Sequence, residues 1–352
     1  FYLINWNDIL LFLLIILFYQ VSHTKIISIN SKVNKCKFDE KIMNWSEKKI
    51  LVTGGNGFLG SFLIEELTKM NAKNIVIPNS KDYDLRNKTD CKNILRNMDV
   101  VFHLAGTAGG IGFLKEKSAN VFYDNIMMGT NLIHESKEAG VEKLITLGTI
   151  CSYPKFAPIP FDEENIWDGY PEETNASYGL AKKMLLVQSE AYRKQYGFKS
   201  TVLIPTNLYG PKDNFEPNYA NVIPAMINKI STAKKQNDEL VTLWGDGTPT
   251  RDFLYVQDAA LALILAAEKY DESLPVNLGS EEEVSIKELF SLISELMKFD
   301  GRVEWDKSKP NGQPRRKVSN KRAEEKFGFR PRTNLKDGLT MTIDWYQNQI
   351  FD

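Results

Sequence analysis

The chain has 352 residues, of which 43% are hydrophobic and 25% are charged, so it can bury a core as one large domain or two smaller ones. This composition excludes a disordered chain, a collagen and a coiled-coil rod. The 44 Lys and Arg residues nearly balance the 45 Asp and Glu residues, and the resulting net charge of −1 argues against a nucleic-acid-binding protein that neutralises phosphates.

Three cysteines occur, Cys36, Cys91 and Cys151, and they are widely separated along the chain. An odd number at this spacing indicates neither a disulfide framework nor a zinc cluster, and we expect no metal site. Free thiols are typical of a reducing compartment, so the sequence predicts a cytoplasmic protein.

The amino-terminal residues 1–46 differ in character from the rest of the chain. Residues 9–19 are an unbroken apolar run, and Asp8 is the sole charge among the first 21 residues. That length is at the lower limit for a bilayer-crossing helix, which needs about 20 residues. No basic residues precede the run and no clear cleavage site follows it, unlike in a secretory signal. We expect synthesis to begin at Met43 and the leader to lie outside the fold; a membrane anchor is the alternative.

From residue 49 onward, short β-branched runs alternate with longer helical patterns. This alternation is typical of a parallel sheet that helices cover on both faces. Between the first two strands, apolar residues recur at helical spacing and complete a β-α-β unit. The sequence therefore predicts an α/β fold, a Rossmann-type doubly wound sheet with a smaller carboxy-terminal lobe. The predicted strands span residues 50–53, 74–77, 100–104, 144–147 and 201–204.

The pattern changes after Pro205, where loops rich in Pro, Asn and Gly begin. Residues 252–267 then read again as a strand followed by a helix. We expect two parts from this change: a nucleotide-binding domain of residues 47–206 together with 250–268, and a substrate-binding lobe of residues 207–249 and 269–352.

A glycine-rich turn, TGGNGFLG at 53–60, lies directly between the first strand and the first helix. Glycine lets the backbone turn tightly and approach a pyrophosphate, whose charge then lies at the amino terminus of the helix. The simpler alternative is a tight turn without a ligand, but the position in a β-α-β unit favours dinucleotide binding. The expected cofactor contacts here are Gly54, Gly57, Phe58, Leu59 and Gly60.

The end of the second strand indicates which dinucleotide is bound. It reads Asn79, Ser80 and Lys81, without the carboxylate that usually binds the adenosine ribose of NAD. These side chains suit a 2′-phosphate, so the sequence predicts NADP, although Asp82 lies close by.

Tyr178 and Lys182 are four residues apart in a helical pattern, so the phenol and the ammonium share one helix face. A neighbouring cation stabilises a phenolate and is expected to lower the pKa of Tyr178 from its usual value of about 10. Such a tyrosine can protonate an oxyanion while a hydride arrives on carbon. A solvated helix face is the alternative. Thr149, which follows the strand at 144–147, could hydrogen-bond the same substrate oxygen.

Taken together, these motifs resemble the extended short-chain dehydrogenases/reductases that act on nucleotide sugars. The resemblance adds FHLAG at 102–106 and PTNLYGP at 205–211 to the glycine turn and the Thr149, Tyr178 and Lys182 set. Within that group, three longer segments resemble the GDP-L-fucose synthase family, which uses NADPH to epimerise C3 and C5 of GDP-4-keto-6-deoxy-D-mannose and to reduce C4. The segments are GTICSYPKFAP at 148–158, EETNASYGLAKK at 172–183 and PTNLYGPKDNF at 205–215.

The resemblance implies a role for each matching residue. Thr149 and Tyr178 would hold and protonate the C4 oxygen, and Lys182 would bind the nicotinamide ribose. Cys151 occupies the position of the family's proton-abstracting cysteine; the alternative is a small buried apolar residue. A ketone acidifies the neighbouring C3 and C5 hydrogens, so the same oxyanion donors serve both reactions. Further cofactor contacts are expected at Leu104, Ala105, Gly106 and Asn207.

At two sites the sequence of this chain differs from those of related enzymes. Sugar-nucleotide dehydratases carry an Asp-Glu pair where this chain has Ile150 and Cys151, so dehydration is disfavoured. The GDP-L-fucose synthase family places a proton-donating histidine where this chain has Asn221, and an amide cannot donate that proton. Tyr219, or a water held by Asn221, is the available substitute.

The resemblance also places the GDP moiety against the carboxy-terminal lobe. Arginine binds phosphates through two hydrogen bonds, although a surface ion pair is the simpler role for any single arginine. The expected substrate contacts are Asn207, Asn221, Lys229, Trp244, Arg251 and Arg315, with Arg316 as the alternative to Arg315.

The helical segments 120–139 and 178–196 are apolar over much of their faces. They are expected to pair two subunits into a homodimer, unless the sheet covers them. Three other functions stay open from the sequence: a 4-keto reductase without epimerase activity, another sugar-nucleotide epimerase, and an NADP-binding regulatory scaffold without turnover.

Overall fold

The computed structural model describes residues 43–217, 219–309 and 311–351, in which strands and helices alternate. The strands are β1 (Lys49–Thr53), β2 (Asn74–Val76), β3 (Val100–His103), β4 (Lys143–Leu147), β5 (Ser200–Pro205), β6 (Asn207–Tyr209), β7 (Leu240–Trp244), β8 (Thr250–Arg251), β9 (Phe253–Tyr255), β10 (Val276–Leu278), β11 (Val284–Ser285), β12 (Arg302–Asp306) and β13 (Arg315–Arg316). The helices are α1 (Phe58–Lys69), α2 (Lys88–Ile94), α3 (Ile111–Glu116), α4 (Ser118–Glu138), α5 (Ala176–Tyr196), α6 (Val222–Gln236), α7 (Val256–Lys269), α8 (Ile286–Met297), α9 (Lys321–Phe327) and α10 (Leu335–Phe351).

A six-stranded parallel sheet runs in the order β10-β5-β4-β3-β1-β2. The chain moves from β1 outward to β2 and then crosses back to β3 on the other side of β1. Thr53 at the end of β1 is paired with His103 at the end of β3. In such sheets, ligands bind beyond the carboxyl ends of the strands at this reversal of strand order. The α/β fold predicted from the sequence is confirmed.

Helices pack in pairs against the sheet. Alternate residues of the buried strands, such as Leu51 and Leu144, contact Leu132 of α4 and Leu185 of α5 in one apolar cluster. Helices α1 and α7 form the other packed pair. The five predicted strands agree with β1 to β5 within one residue at each end.

The lobe has an apolar core of its own. Helix α6 contributes Ile223 and Ile227, and α8 contributes Leu289 and Ile293. These residues pack with Leu243 of β7, which is paired in parallel with β12. A small sheet in the order β11-β8-β13 completes the lobe beside the crevice of the central sheet.

Three of the predicted domain boundaries need correction. Strand β8, assigned to the nucleotide-binding domain, pairs with β11 and β13 in the small sheet of the lobe. Trp45 is 3% exposed, its indole N–H donates to Glu268 Oε1 at 2.7 Å, and its ring centroid lies 6.2 Å from that of Phe102. The fold therefore begins before residue 47; residues 1–42, the rest of the expected leader, lie outside the described residues. Strand β10, assigned to the lobe, joins the central sheet because Val276 pairs with Leu203. Three edge residues are too few for the sequence pattern to identify.

Within the described part of the chain, no helix combines the length and the apolar character needed to cross a bilayer.

Candidate active site

In the glycine-rich turn after β1, the backbone packs closely against other backbone atoms. Gly54 has a φ of +71°, and a Cβ there would lie 2.8 Å from the amide nitrogen of Ala105. A Cβ on Gly60 would collide with the carbonyl oxygen of Gly54. Gly57 caps α1 without a side chain, so nothing covers the first amides of the helix. This bare helix terminus fits the pyrophosphate of a dinucleotide.

The first residues of α1 contribute to this cradle in different ways. Leu59 is only 7% exposed, so its side chain belongs to the core and its backbone N–H is the group that faces a ligand. Phe58 is half-buried, and its ring lies 6.4 Å from that of Phe62. Both positions were predicted as cofactor contacts, and the structure places both backbones at the amino terminus of α1.

The loop that follows β2 is exposed at Asn79, Ser80 and Lys81. The Asn79 side-chain oxygen accepts from the Lys81 backbone N–H at 2.9 Å, which keeps the three residues in a tight turn. An amide, a hydroxyl and an ammonium are thus open to a ligand beyond the sheet. These donors fit a 2′-phosphate.

The end of β3 approaches the predicted catalytic lysine. The Leu104 amide donates to the Thr53 carbonyl at 3.1 Å, and a Cβ on Gly106 would lie 3.4 Å from Lys182 Nζ. Burial lowers the pKa of His103 to about 3, and the charge of Lys182 acts in the same direction. His103 is therefore a neutral residue of the buried strand, hydrogen-bonded to Thr53 at 2.8 Å.

Thr149 and Tyr178 meet beyond the end of β4. Thr149 caps the short 3₁₀ turn Ile150–Ser152, and its side-chain oxygen accepts from the Cys151 N–H at 3.2 Å. The phenol of the half-buried Tyr178 lies close enough to Thr149 for the threonine side chain to favour a lower tyrosine pKa. One turn further along α5, Lys182 is 2% exposed. The structure thus places the phenol beside the hydroxyl, the two groups predicted to act on one substrate oxygen, with the Lys182 side chain one turn along the same helix.

The electrostatics of this trio differ from the prediction. Burial raises the pKa of Tyr178 above its ordinary value; the charge of Cys151 adds to this effect, and the Thr149 hydrogen bond opposes it. Burial also lowers the pKa of Lys182 to about 8. The expected lowering of the tyrosine pKa is therefore wrong, because desolvation is the largest influence on the phenol. Tyr178 keeps its proton and is suited to act as an acid.

Gly179 positions the trio, although the sequence analysis did not single it out. A Cβ at this residue would collide with the carbonyl oxygen of Cys151. The Ser152 hydroxyl donates to the Gly179 carbonyl at 2.9 Å and holds the two segments together. The signal was available, because a glycine inside a helical pattern commonly marks a close approach of another segment.

Two arginines of the lobe face Cys151. The half-buried Cys151 is a free thiol, and its Sγ lies 3.7 Å from Arg316 Nη1. Arg251 is paired with Arg316 in the ladder of β8 and β13. Burial lowers the pKa of Arg251 to about 9, and Arg316 acts in the same direction, whereas Cys151 and Glu172 oppose it. The predicted role of Arg251 as an anion contact agrees with its place in this cluster.

Arg315 does not reach this cluster. Its Nε and Nη2 donate to the Glu283 carboxylate at 2.8 and 2.7 Å, and its side chain is 54% exposed. Successive residues of a strand point to opposite faces, so Arg316 faces the crevice where Arg315 was expected. The sequence could not decide between adjacent arginines in so short a strand.

The other predicted substrate contacts occupy three places. Asn207 begins β6, and its amide donates to the Asp252 carbonyl at 2.9 Å, next to Arg251. Asn221 is an exposed residue that caps α6. Asn221 lies two residues after Tyr219, whose carbonyl accepts from the Gly110 N–H at 3.1 Å.

Lys229 and Trp244 lie on the surface of the lobe. Lys229 is exposed and donates to the Thr242 carbonyl at 2.7 Å. Trp244 is 51% exposed, and the Lys309 ammonium lies 5.8 Å from the centre of its ring. No described contact joins either residue to Cys151 or Tyr178.

Comparisons with known proteins agree with this geometry. Residues 50–279 match the model of the NAD dependent epimerase/dehydratase family. GDP-L-fucose synthase 1 of Arabidopsis thaliana is 36% identical over 314 residues, which cover 88% of this chain and 97% of that protein. The GDP-L-fucose synthase of Escherichia coli is 34% identical over 316 residues, which cover 86% of this chain and 98% of that protein.

Solved structures give the same assignment. A GDP-L-fucose synthetase from Naegleria fowleri bound to NADP superimposes with a TM-score of 0.78 at 29% identity, covering 87% of this chain and 95% of that one. MlghC, a GDP-mannoheptose C4 reductase from Campylobacter jejuni with NADP bound, has a TM-score of 0.78 at 27% identity, covering 86% of this chain and 99% of that one. The chain belongs to the NAD dependent epimerase/dehydratase family and, within it, to the GDP-L-fucose synthases.

Proposed function

We propose that this protein is an NADPH-dependent enzyme that epimerises C3 and C5 of GDP-4-keto-6-deoxymannose and reduces its C4 ketone to give GDP-L-fucose. The observation that carries the proposal is the close approach of Thr149 and Tyr178, with the buried Lys182 one turn further along the same helix. These groups lie at the carboxyl edge of the sheet, next to the glycine turn. The names of the similar proteins supply the substrate class.

For the reduction, NADPH supplies a hydride to C4 when it is bound at the glycine turn. The exposed residues 79–81 would hold its 2′-phosphate, and Lys182, close to Gly106, would hold the nicotinamide ribose. Thr149 donates a hydrogen bond to the C4 oxygen, and Tyr178 gives up its proton to that oxygen. The raised pKa of Tyr178 keeps this proton in place until negative charge develops on the oxygen.

For the epimerisation, Cys151 acts as the base. Its sulfur takes the proton from C3 or C5, so a C–H bond breaks and an S–H bond forms. The electron pair moves to the C4 oxygen, where Thr149 and Tyr178 stabilise it. A water at Asn221 gives a proton to the opposite face of the sugar as the electron pair returns from the C4 oxygen to carbon. The hydroxide left behind takes a proton from the surrounding water, and the Cys151 thiol releases its proton to the solvent. Loss of a general acid lowers rates by about 100- to 10,000-fold, so we expect epimerisation to be slower than reduction.

Binding of the nucleotide involves the lobe. We propose that Arg251 contacts the diphosphate and that Asn207 contacts the sugar beside it. We also propose that Lys229 and Trp244, on the surface of the lobe, contact the nucleoside. Arg315 is left out because its charge is already neutralised by Glu283.

The test is incubation with GDP-4-keto-6-deoxymannose in D₂O without NADPH, followed by NMR of the recovered sugar. Deuterium at C3 and C5 is expected in the wild-type incubation and absent with Cys151→Ala. A second candidate, a 4-keto reductase that does not epimerise, is favoured by Asn221 and by the similarity to a C4 reductase. That candidate is correct if the sugar recovered from the wild-type enzyme carries no deuterium while added NADPH is still consumed.

We also propose that the enzyme is a cytoplasmic homodimer. Its mechanism needs Cys151 as a free thiol, which a reducing compartment preserves. Helices α4 and α5 pack against each other and expose large apolar side chains. These are Phe122, Tyr123, Met184 and Val187, which are 36% to 55% exposed.

A further inference from the structure

We propose that Arg316 is the charge partner of Cys151, holding its sulfur as an anion, and that Gln313 is the positioning residue that keeps Arg316 there. The use of this anion as the base for C3 and C5 rests on the proposed function. The pairing itself is a property of the protein alone, and it can be tested without substrate.

The contact joins two parts of the fold. Cys151 belongs to the 3₁₀ turn after β4, whereas Arg316 comes from β13 of the lobe. The distance between Sγ and Nη1 is 3.7 Å, within the range of a hydrogen bond to sulfur. Arg316 is only 8% exposed, so its guanidinium is largely removed from water. A buried cation is costly unless an anion lies close to it.

The hydrogen-bond partners of the Arg316 guanidinium indicate which group can balance its positive charge. Within the described residues, its polar contacts are the neutral side chain of Gln313 and the sulfur of Cys151. Arg315, in contrast, has a carboxylate for its charge. The thiol of Cys151 is therefore the group beside Arg316 that can become negative, and an Arg N–H bonded to sulfur favours that form.

A second cation strengthens the case. Arg251 is directly paired with Arg316 between adjacent strands, and the charge of Arg316 disfavours the charged form of Arg251. Two like charges at this spacing repel, and a negative sulfur next to them relieves the repulsion, in addition to the Glu172 carboxylate that acts on Arg251. Arg251 donates to its neighbour's carbonyl, that of Thr250, at 2.7 Å. We therefore assign Arg251 to the substrate diphosphate and Arg316 to the sulfur.

Gln313 ties the two segments together. Its side-chain oxygen accepts from Arg316 Nε at 2.8 Å, and its amide donates to the carbonyl of Lys155 at 2.8 Å. Lys155 lies four residues beyond Cys151, in the loop that continues from the same turn. Gln313 is 5% exposed. The amide thus fixes Arg316 relative to the loop that carries the cysteine.

The experiment measures the rate at which iodoacetamide alkylates Cys151 in the full-length protein at pH 7, read by mass spectrometry of the Cys151 peptide. Thiolates react and thiols do not, so the rate reports the negative sulfur. We expect Arg316→Gln to slow alkylation by about tenfold and Arg316→Lys to restore most of the rate, because an opposite charge at this distance favours ionisation. Arg315→Gln is the matched control and should leave the rate unchanged.

Gln313→Glu provides a second test with little change in shape. The new carboxylate would neutralise Arg316, so alkylation should slow although no group that touches the sulfur has been replaced. This variant decides the question if Arg316→Gln does not fold. Equal alkylation rates in wild-type and Gln313→Glu protein, or in wild-type and Arg316→Gln protein, would overturn the proposal.

The outcome is separable from that of the proposed function. If Arg316→Gln slows alkylation but the wild-type enzyme incorporates no deuterium into the sugar, the pairing is right and the epimerisation is wrong. If deuterium enters the sugar and alkylation does not depend on Arg316, the pairing is wrong and the proposed function is retained.

Discussion

Lys182 has a role in the proposed chemistry, but its burial lowers the stability of the folded protein at neutral pH. It is buried beside Gly106, and burial lowers its pKa to about 8 from the usual 10.5. Between these two values the unfolded chain binds the proton more readily than the folded one. Folding therefore loses free energy at neutral pH, and stability recovers as the pH rises from 8 to 10.5.

We expect Lys182→Met to raise the free energy of unfolding at pH 7 by up to about 3 kcal/mol, because it removes a buried charge. The same variant should lose C4 reduction. Urea unfolding between pH 6 and pH 11 checks this: the rise in stability above pH 8 should be smaller in the variant, where it comes from Lys143, whose pKa burial also lowers to about 8. Lower stability of Lys182→Met at pH 7 would contradict the assignment.

The second prediction for a single residue concerns Asn221. It stands where related enzymes carry a proton donor, and it is exposed at the start of α6. We expect Asn221→His to increase deuterium incorporation at C3 and C5 by about 100-fold, the lower end of the usual effect of a general acid. Tyr219→Phe should leave the wild-type rate unchanged, because water delivers the proton. A large loss with Tyr219→Phe would make the tyrosine the donor instead.

Most of the site residues that the sequence predicted were recognisable from their own chemical types. Tyr178, Lys182 and Thr149 were predicted from their chemistry and spacing, and Cys151 was predicted from the family resemblance. The structure places Thr149 close to both Tyr178 and Cys151. Arg316 was only an alternative to Arg315, because strand direction in a two-residue strand is set by pairing with β8. The dominance of burial over charge at Tyr178 depends on the packed crevice, which a single helix pattern cannot reveal.

At the scale of elements, the contact between α5 and the 3₁₀ turn holds the site. Alanine favours helices over glycine by about 1 kcal/mol, so Gly179→Ala would stabilise an isolated helix. Here the added Cβ would collide with the Cys151 carbonyl. We expect a net loss of about 1 to 3 kcal/mol in stability, with lower rates of both reduction and deuterium exchange.

Gly112→Ala is the matched control for that variant. Gly112 lies in the helix α3, and a Cβ there would meet no atom within 4 Å. Its stability and both of its rates should equal or exceed those of the wild-type protein. If Gly179→Ala behaves like Gly112→Ala, the close approach of α5 to the turn does not matter for the site.

Element boundaries show where sequence patterns suffice. Strands β1 to β5 are continuous apolar runs between turns, and a helix separates most of them, so their positions were predicted well. Strand β10 has three residues at the sheet edge, and its place depends on pairing with β5. Trp45 belongs to the amino-terminal residues 1–46, whose composition differs from that of the rest of the chain. Its contacts with Phe102 and Glu268 join residues far apart in sequence, so the sequence pattern could not assign Trp45 to the core.

At the scale of the whole molecule, the proposed dimer makes a direct prediction. Val187 of α5 is 49% exposed, and a second copy of the chain would bury it. We expect Val187→Glu to convert dimers into monomers in sedimentation velocity, because a buried unpaired charge is costly. Leu274→Glu, at a residue that is 48% exposed outside α4 and α5, should stay dimeric. A monomeric wild-type protein would contradict the dimer.

The central claim is that Tyr178, held by Thr149 and accompanied by Lys182, protonates the C4 oxygen during hydride transfer. The most direct measurement is the reaction of GDP-4-keto-6-deoxymannose with NADPH, in which cofactor consumption is followed by absorbance and the product by NMR. The wild-type enzyme should consume one NADPH per GDP-L-fucose formed, and Tyr178→Phe should reduce kcat by about 100-fold or more. A wild-type kcat in Tyr178→Phe, or no oxidation of NADPH by the wild-type enzyme, would contradict it.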